Sequence, residues 1–187
     1  MRIRGIAIIM RKILLVTFIV FGCLGLHAQT PTDTLLSAHK KCLSTFIKVI
    51  NASGLKNIFD GQALTIFAPD DEAFSKFSTQ KIDSLLATPN KSVLISTLDS
   101  YIVTGKLTAK DIAKAIHDGG GHATFRTLAG TSLTATINAN RNIVLSNDSG
   151  CVSTIKVFNM KQGNTDMFVI DSVLLPKNKY LQLTSNK

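Results

Sequence analysis

An eleven-residue stretch, Leu64-Thr-Ile-Phe-Ala-Pro-Asp-Asp-Glu-Ala-Phe74, decides the fold, and its character changes halfway along. Its first half carries β-branched and aromatic residues, which favour a buried strand. Pro69 cannot donate a ladder hydrogen bond, so we expect the strand to end there. The acidic residues that follow, Asp70, Asp71 and Glu72, lie where the unpaired N–H groups of a helix N-terminus favour carboxylates. The stretch therefore predicts a strand joined directly to a short, acid-capped helix.

Helical patterns dominate the sequence on either side of this joint, up to the glycine run at 119–121. Apolar residues spaced three, four and seven apart predict an amphipathic helix that ends at Gly54. Thr108 precedes Asp111 by three residues, which is the spacing of a capping box at a helix start. The predicted helices cover residues 34–52, 81–87, 90–101 and the segment from 108 to the glycine run.

Beyond Gly121 the pattern changes to short alternating segments separated by turn residues. These segments predict antiparallel strands over residues 122–128, 131–137, 143–145, 151–160 and 167–174. Helices first and antiparallel strands second indicate an α+β fold and not an alternating parallel sheet. We predict one domain over residues 33–178, followed by a short C-terminal tail over 179–187.

The N-terminus has the organisation of a secretory signal peptide. An uncharged apolar run of fourteen residues follows four basic residues and precedes the small residue Ala28. The run is shorter than the ~20 residues that span a bilayer. We therefore predict a signal peptide over residues 1–28 and no membrane span in the mature chain. The alternatives are an uncleaved N-terminal anchor, or lipoprotein-type cleavage that leaves a lipid anchor on Cys23. All three interpretations imply export.

The charge of the chain bears on whether nucleic acid is a partner. The formal net charge is +9, and it falls to +5 in the mature chain because residues 1–28 hold four basic and no acidic residues. The remaining basic residues are scattered, which argues against a nucleic-acid partner.

Two cysteines remain after export, Cys42 and Cys151. A disulfide between them is permitted and would add ~4–5 kcal/mol in the chain-entropy model. Their apolar surroundings favour buried free thiols instead.

Three blocks of the mature chain, between about residues 33 and 176, resemble fasciclin-type (FAS1) domains. The opening stretch is similar to the family box Thr-x-Phe-Ala-Pro-x-x-x-Ala-Phe. A middle segment resembles Tyr-His-Val-Val-x-Gly-x-Leu-Thr, and a C-terminal segment resembles the second family box. The matching residues are Thr65, Phe67, Ala68, Pro69, Ala73, Phe74, Tyr101, Gly105, Val169, Ile170, Asp171, Val173, Leu174 and Pro176. The resemblance implies a wedge in which N-terminal helices pack on an antiparallel, β-rich C-terminal half, in a secreted bacterial member of the family.

The chain departs from the family pattern at both of its usual histidines. Ile102 and Phe168 stand at those positions, while Asn159 and Thr165 replace a common aspartate and a common glycine. In animal members the Tyr-His region is implicated in integrin adhesion. Because the histidine is missing, the resemblance does not imply integrin recognition here.

Motifs for common catalytic chemistry are absent from the sequence. It has no phosphate-binding loop, no G-x-S-x-G elbow, no H-E-x-x-H and no C-x-x-C. His117 and His122 lie five residues apart across the glycine run, which does not suit metal ligation. We therefore predict no catalytic residue, metal site or cofactor. The family-signature residues have the profile of core and turn positions, so their expected role is structural.

The expected function is a non-catalytic extracytoplasmic binding or cell-adhesion module, located in the periplasm, on the cell surface or outside the cell. Its expected partners are cell-surface or matrix protein or polysaccharide, contacted through an exposed face of the domain. The alternative is a small-molecule carrier or an enzyme that uses a pocket between the sheet and the helices. A deep apolar pocket with convergent polar groups would favour that alternative.

Overall fold

The computed structural model describes residues 42–55, 61–87 and 91–175. The predicted signal peptide, the Cys23 anchor position and the C-terminal tail lie outside these residues, as does Pro176. The beginning of the predicted first helix, from residue 34 to residue 41, also lies outside them.

The elements follow the predicted order, with helices concentrated before strands. In chain order they are α1 (Ser44–Ser53), β1 (Leu64–Pro69), α2 (Asp71–Ser75), α3 (Thr79–Leu86), α4 (Lys91–Asp99), β2 (Ile102–Thr104), α5 (Ala109–Asp118), β3 (His122–Arg126), β4 (Ser132–Ile137), β5 (Ile143–Asn147), β6 (Val152–Gln162) and β7 (Thr165–Ile170). The α+β class is confirmed, and β1 ends at the proline, as its missing N–H donor predicts.

At Tyr101 one predicted helix end is wrong, and a strand that was not predicted follows it. The helix was expected to continue into this residue, but α4 ends at Asp99. Ile102–Thr104 then forms β2, a strand that the sequence pattern does not indicate. Its three residues are β-branched and therefore suit a strand. Antiparallel pairing with β1 supplies the hydrogen-bond partners that a segment this short lacks by itself.

Two further boundaries differ from the prediction. The chain is not yet helical at Cys42 and Leu43, and α1 begins at Ser44. At the other end of the domain, β7 stops at Ile170 and not at Leu174. The next residue, Asp171, still donates its N–H to the Thr154 carbonyl at 3.1 Å, but the chain bends at residues 171–172, so the strand ends there.

The seven strands form one sheet in the order β2-β1-β7-β6-β5-β4-β3. The early strand β1 lies between β2 and β7 and runs parallel to β7. The other paired strands are antiparallel. The two edge strands meet through a bridge between Val103 and Thr127, and the Leu128 N–H donates to the Ile102 carbonyl at 2.8 Å. The sheet therefore curls until its first and last strands touch.

Both faces of the central strands are buried, which explains why β1 is buried at every position. On one face, Ile66 and Ala68 join a helix-side cluster formed with α1 and α4. On the other face, Phe67 joins a curl cluster that α5 closes through Ile112 and Ile116. The rings of Phe67 and Phe168 stack at 5.5 Å between centroids. β1 therefore contributes side chains to both the helix-side cluster and the curl cluster.

Candidate functional site

Asp70 caps α2 as the sequence predicts. Its Oδ1 accepts the Ala73 N–H at 2.7 Å, and its own N–H donates to the Ile170 carbonyl at 3.0 Å. The residue is only 6% exposed. Asp70, the residue after β1, therefore caps α2 with its side chain and bonds to the end of β7 with its backbone.

Asp71 caps a different helix from the one expected. Its carboxylate accepts the Ser44 N–H at 3.0 Å, the Ser44 hydroxyl at 2.8 Å and the Thr45 N–H at 2.7 Å. These groups form the first turn of α1. Burial raises the pKa of Asp71, but the hydrogen bonds from Thr45 and Ser44 lower it further, so the net pKa is below its ordinary value. The expectation that Asp71 caps its own helix is wrong, because its side chain points across to α1.

Glu72 pairs with Lys156 from the middle of β6, a contact that the sequence alone does not indicate. The Lys156 ammonium lies 2.8 Å from Asp70 Oδ2 and 2.9 Å from Glu72 Oε2. Hydrogen bonds to Asp70 and then to Glu72 raise the pKa of Lys156 above its ordinary value. Glu72 is exposed, so its ion pair contributes little stability. Nothing in the local sequence of a strand lysine indicates a partner 84 or 86 residues away.

Asp171 of the second box links β6 to the chain beyond β7. It accepts the Ser153 hydroxyl at 3.0 Å and the Thr154 N–H at 2.8 Å. Burial raises the pKa of Asp171, and hydrogen bonds from Thr154 and Ser153 more than offset that rise. The four carboxylates of the two boxes are thus held in structural contacts with backbone N–H groups, hydroxyls or Lys156.

The middle block, residues 101–108, is hydrogen-bonded to Thr65 of the first box. The Thr65 hydroxyl donates to the Gly105 carbonyl at 2.7 Å and accepts the Leu107 N–H at 2.9 Å. Gly105 has φ of 94°, which glycine adopts without the cost that a Cβ would impose. Tyr101 is 3% exposed, and burial raises its pKa above the ordinary value. The block therefore connects β1 to α5 through the buried Thr65 hydroxyl, although Lys106 within it is exposed.

The other signature residues lie in the core or next to it. Ala68, Ala73, Val169, Ile170 and Leu174 are each at most 2% exposed. Phe74 is half-buried and packs on the helix-side cluster, and Val173 packs on the curl cluster. These positions keep the fold together and present little surface to a partner.

A small apolar cavity lies among the helices and the segment that follows β7. Its volume is about 40 Å³, and its lining includes Phe46, Pro69, Phe74, Leu94, Tyr101 and Leu175. A water molecule needs about 10–15 Å³ of such volume, so the space corresponds to only a few waters. The lining lacks the convergent polar groups that orient a substrate. This cavity does not favour the carrier or enzyme alternative.

The described residues meet the requirements of neither a metal site nor a membrane-spanning helix. Within residues 42–55, 61–87 and 91–175, no group of three or more His, Cys, Asp or Glu side chains could hold a metal ion. In the same ranges, no helix is both long enough and apolar enough to cross a membrane.

The two cysteines lie beside different parts of the core and form no disulfide with each other. Cys42 packs against the helix-side cluster, and Cys151 packs against the curl cluster. Burial raises the pKa of Cys42, and the negative charges of Asp70 and Asp71 raise it further. The thiolate fraction of Cys42 is therefore lower than that of an ordinary cysteine at the same pH.

We expect both thiols to be alkylated by iodoacetamide in the denatured, unreduced protein. Peptide masses after digestion should show the adduct on Cys42 and on Cys151 without prior reduction. A sample reduced before alkylation is the control and should give the same two adducts. A cross-linked peptide pair, or alkylation only after reduction, would show that Cys42 and Cys151 are joined by a disulfide.

The sequence profile of the Fasciclin domain family matches residues 41–176, which include the two boxes and the connection between them. The chain belongs to the fasciclin domain family. The fold is similar to that of a FAS1 domain pair from the insect cell adhesion molecule Fasciclin I, with a TM-score of 0.55 at 21% identity. That alignment covers 71% of this chain and 44% of the other. The family assignment made from the sequence is confirmed.

Several bacterial proteins are similar to this fasciclin-domain chain. Protein sll1483 of Synechocystis is 26% identical over 160 residues, covering 80% of this chain and 78% of the relative. Immunogenic protein MPB70 of Mycobacterium bovis is 34% identical over 114 residues, covering 60% and 49%. Cell surface glycolipoprotein MPB83 of the same species is 29% identical over 160 residues, covering 83% and 64%. The chain thus spans about half of MPB70 and just under two thirds of MPB83.

Proposed function

We propose that this fasciclin-domain protein is an exported, non-catalytic adhesion module that contacts cell-surface or matrix protein or polysaccharide. The family match over residues 41–176 supports an adhesion-type domain. The description of MPB83 as a cell surface glycolipoprotein supports a position outside the cytoplasm. The signal-peptide pattern of residues 1–28 points the same way.

The positions of the family-signature residues support this proposal most directly. The described ones lie in the core, in the strand–helix joint and in the connection to α5, so they build the domain and leave its outer faces for partners. A catalytic acid or base must come within hydrogen-bond reach of a substrate. Asp70 is buried, and its two oxygens are bonded to Ala73 and Lys156. The acidic cluster of the first box therefore suits a structural role.

Cell fractionation and affinity capture test the proposal. The protein should be found in the envelope or culture-medium fraction, and the immobilised full-length protein should retain envelope components that an immobilised unrelated protein does not. Recovery in the cytosolic fraction would overturn the location.

A hydrolase panel tests the non-catalytic part of the proposal. Wild-type protein and Asp70→Ala should both give only background rates, with Asp83→Ala as an exposed acidic control. An activity that Asp70→Ala abolishes, while its circular dichroism spectrum remains that of a folded protein, would refute a non-catalytic role.

A further inference from the structure

A bulge in β6 turns an aromatic side chain outward. The pairing of β6 with β7 is irregular between Val157 and Met160, which leaves Phe158 and Asn159 outside the regular ladder. Asn159 has φ of 58°, a left-handed conformation that asparagine tolerates better than most residues. Its Oδ1 accepts the Ala109 N–H at 3.1 Å, which ties the bulge to the start of α5. Bulges of this kind commonly re-aim side chains at functional surfaces.

The Phe158 ring is exposed but held in place. It is 40% exposed, and it packs edge-on against Phe168 at 6.2 Å between centroids and 86° between planes. Phe168 is fully buried and is itself stacked on Phe67. An aromatic ring held on a rigid core loses little conformational entropy when a ligand binds. Phe158 is therefore a preorganised platform at the surface.

Three exposed lysines lie on segments around this bulge, namely β6 itself, the start of α5 and the loop before α5. Lys110 follows Ala109, the residue bonded to Asn159. Lys106 precedes Leu107, whose N–H is bonded to Thr65 on β1. Lys161 lies near the end of β6, opposite Asp166 of β7, and Asp166 pairs in turn with Thr65. We call Phe158, Lys106, Lys110 and Lys161 the bulge patch.

The positive charge of the bulge patch is not neutralised by ion pairs. Among the described residues, the salt bridges involve none of its three lysines. Asp166 lies opposite Lys161 but is only 3% exposed, so a ligand at the surface would contact the lysine and not this carboxylate. Asp111 neighbours Lys110, but its carboxylate accepts the Thr108 N–H at 2.9 Å and the Thr108 hydroxyl at 2.7 Å in the capping box of α5. An anionic partner would find a cationic surface with a fixed aromatic ring.

We propose that the bulge patch binds an acidic polysaccharide whose sugar rings carry carboxylates. This proposal rests on the proposed binding function and names its surface and its partner class. The C–H face of a sugar ring packs on an exposed aromatic ring, while each sugar carboxylate pairs with a lysine ammonium. An acidic peptide offers carboxylates but would use an apolar pocket for an anchoring side chain. The apolar cavity described above shares no lining residue with the patch.

Binding of the full-length protein to immobilised polygalacturonate tests this proposal. The patch variants are Phe158→Ala and the triple change Lys106→Gln, Lys110→Gln and Lys161→Gln. The matched control, Lys48→Gln with Lys91→Gln and Arg126→Gln, removes the same charge elsewhere on the exposed surface. We expect each patch variant to weaken Kd about thirtyfold, the lower limit for truncation of a hot spot, and the control to change it by less than about twofold. Added salt should weaken wild-type binding, and neutral dextran should not bind.

Other results would overturn the proposal while leaving the binding function intact. Absence of wild-type binding to polygalacturonate would do so, as would equal affinities for wild type and the lysine triple variant. Polyglutamate bound as tightly as polygalacturonate, with Phe158→Ala unaffected, would indicate general attraction of acidic chains. If envelope components are still captured in any of these cases, the adhesion proposal stands and only the patch assignment fails. Thermal melts of every variant confirm that the compared proteins are folded.

Discussion

Phe67→Ala is expected to lower the free energy of unfolding by about 3–5 kcal/mol, the range for large-to-small changes at buried aromatic positions. Phe67 is fully buried at the centre of the sheet and stacks on Phe168 at 5.5 Å. Its replacement leaves a cavity in the curl cluster that strands on either side cannot close without breaking their ladders. Urea unfolding followed by circular dichroism measures the change.

Phe158→Ala is the matched control for this prediction. Phe158 touches the same Phe168 ring but is 40% exposed. We expect a smaller loss than for Phe67→Ala, because part of the Phe158 ring already lies in water in the folded protein. If the two variants were equally stable, the stacked pair in the curl cluster would not be a main source of stability.

Asp71→Ala is expected to lower the free energy of unfolding by about 1–2 kcal/mol at neutral pH, the upper range for loss of a helix cap. The carboxylate accepts three hydrogen bonds from Ser44 and Thr45, which are 27 and 26 residues away in the chain. Its loss therefore leaves the first turn of α1 without a cap and removes a link between α1 and the strand–helix joint. Urea titrations of both proteins give the difference.

The effect of Asp71→Ala should depend on pH in a defined direction. The pKa of Asp71 is lower in the folded protein than in the unfolded chain, where it is about 3.9. The stabilisation is therefore fully present above the unfolded pKa and is lost as the pH falls through the lower, folded pKa. We expect the stability difference between wild type and Asp71→Ala to be constant near neutrality and to shrink as the pH falls below about 4.

Asp83→Ala is the control for both Asp71 measurements. Asp83 is an exposed acid on α3, so its removal should change stability by less than about 0.5 kcal/mol. An Asp71 effect no larger than this control, or one unchanged down to pH about 2, would show that the carboxylate does not cap α1.

Some local features were predictable because the residues that cause them are neighbours in the chain. Pro69 ends a strand through its missing N–H, and Thr108 with Asp111 forms the predicted capping box. β2 was missed because three residues cannot show a strand period, and its stability comes from pairing with β1. The bulge was missed because it depends on how β6 pairs with β7, although an asparagine at a strand interior was a weak signal.

The strand–helix joint shows what the sequence determined by itself and what only the tertiary structure decided. Backbone propensity and the missing N–H of proline act within a few residues, so the sequence determined the strand, the helix and the family. The partners of the three acids were decided by the tertiary structure. Asp70 caps α2, Asp71 caps α1, and Glu72 pairs with Lys156. Three adjacent carboxylates look alike in sequence, and only the directions of their side chains in the packed fold assign each its partner.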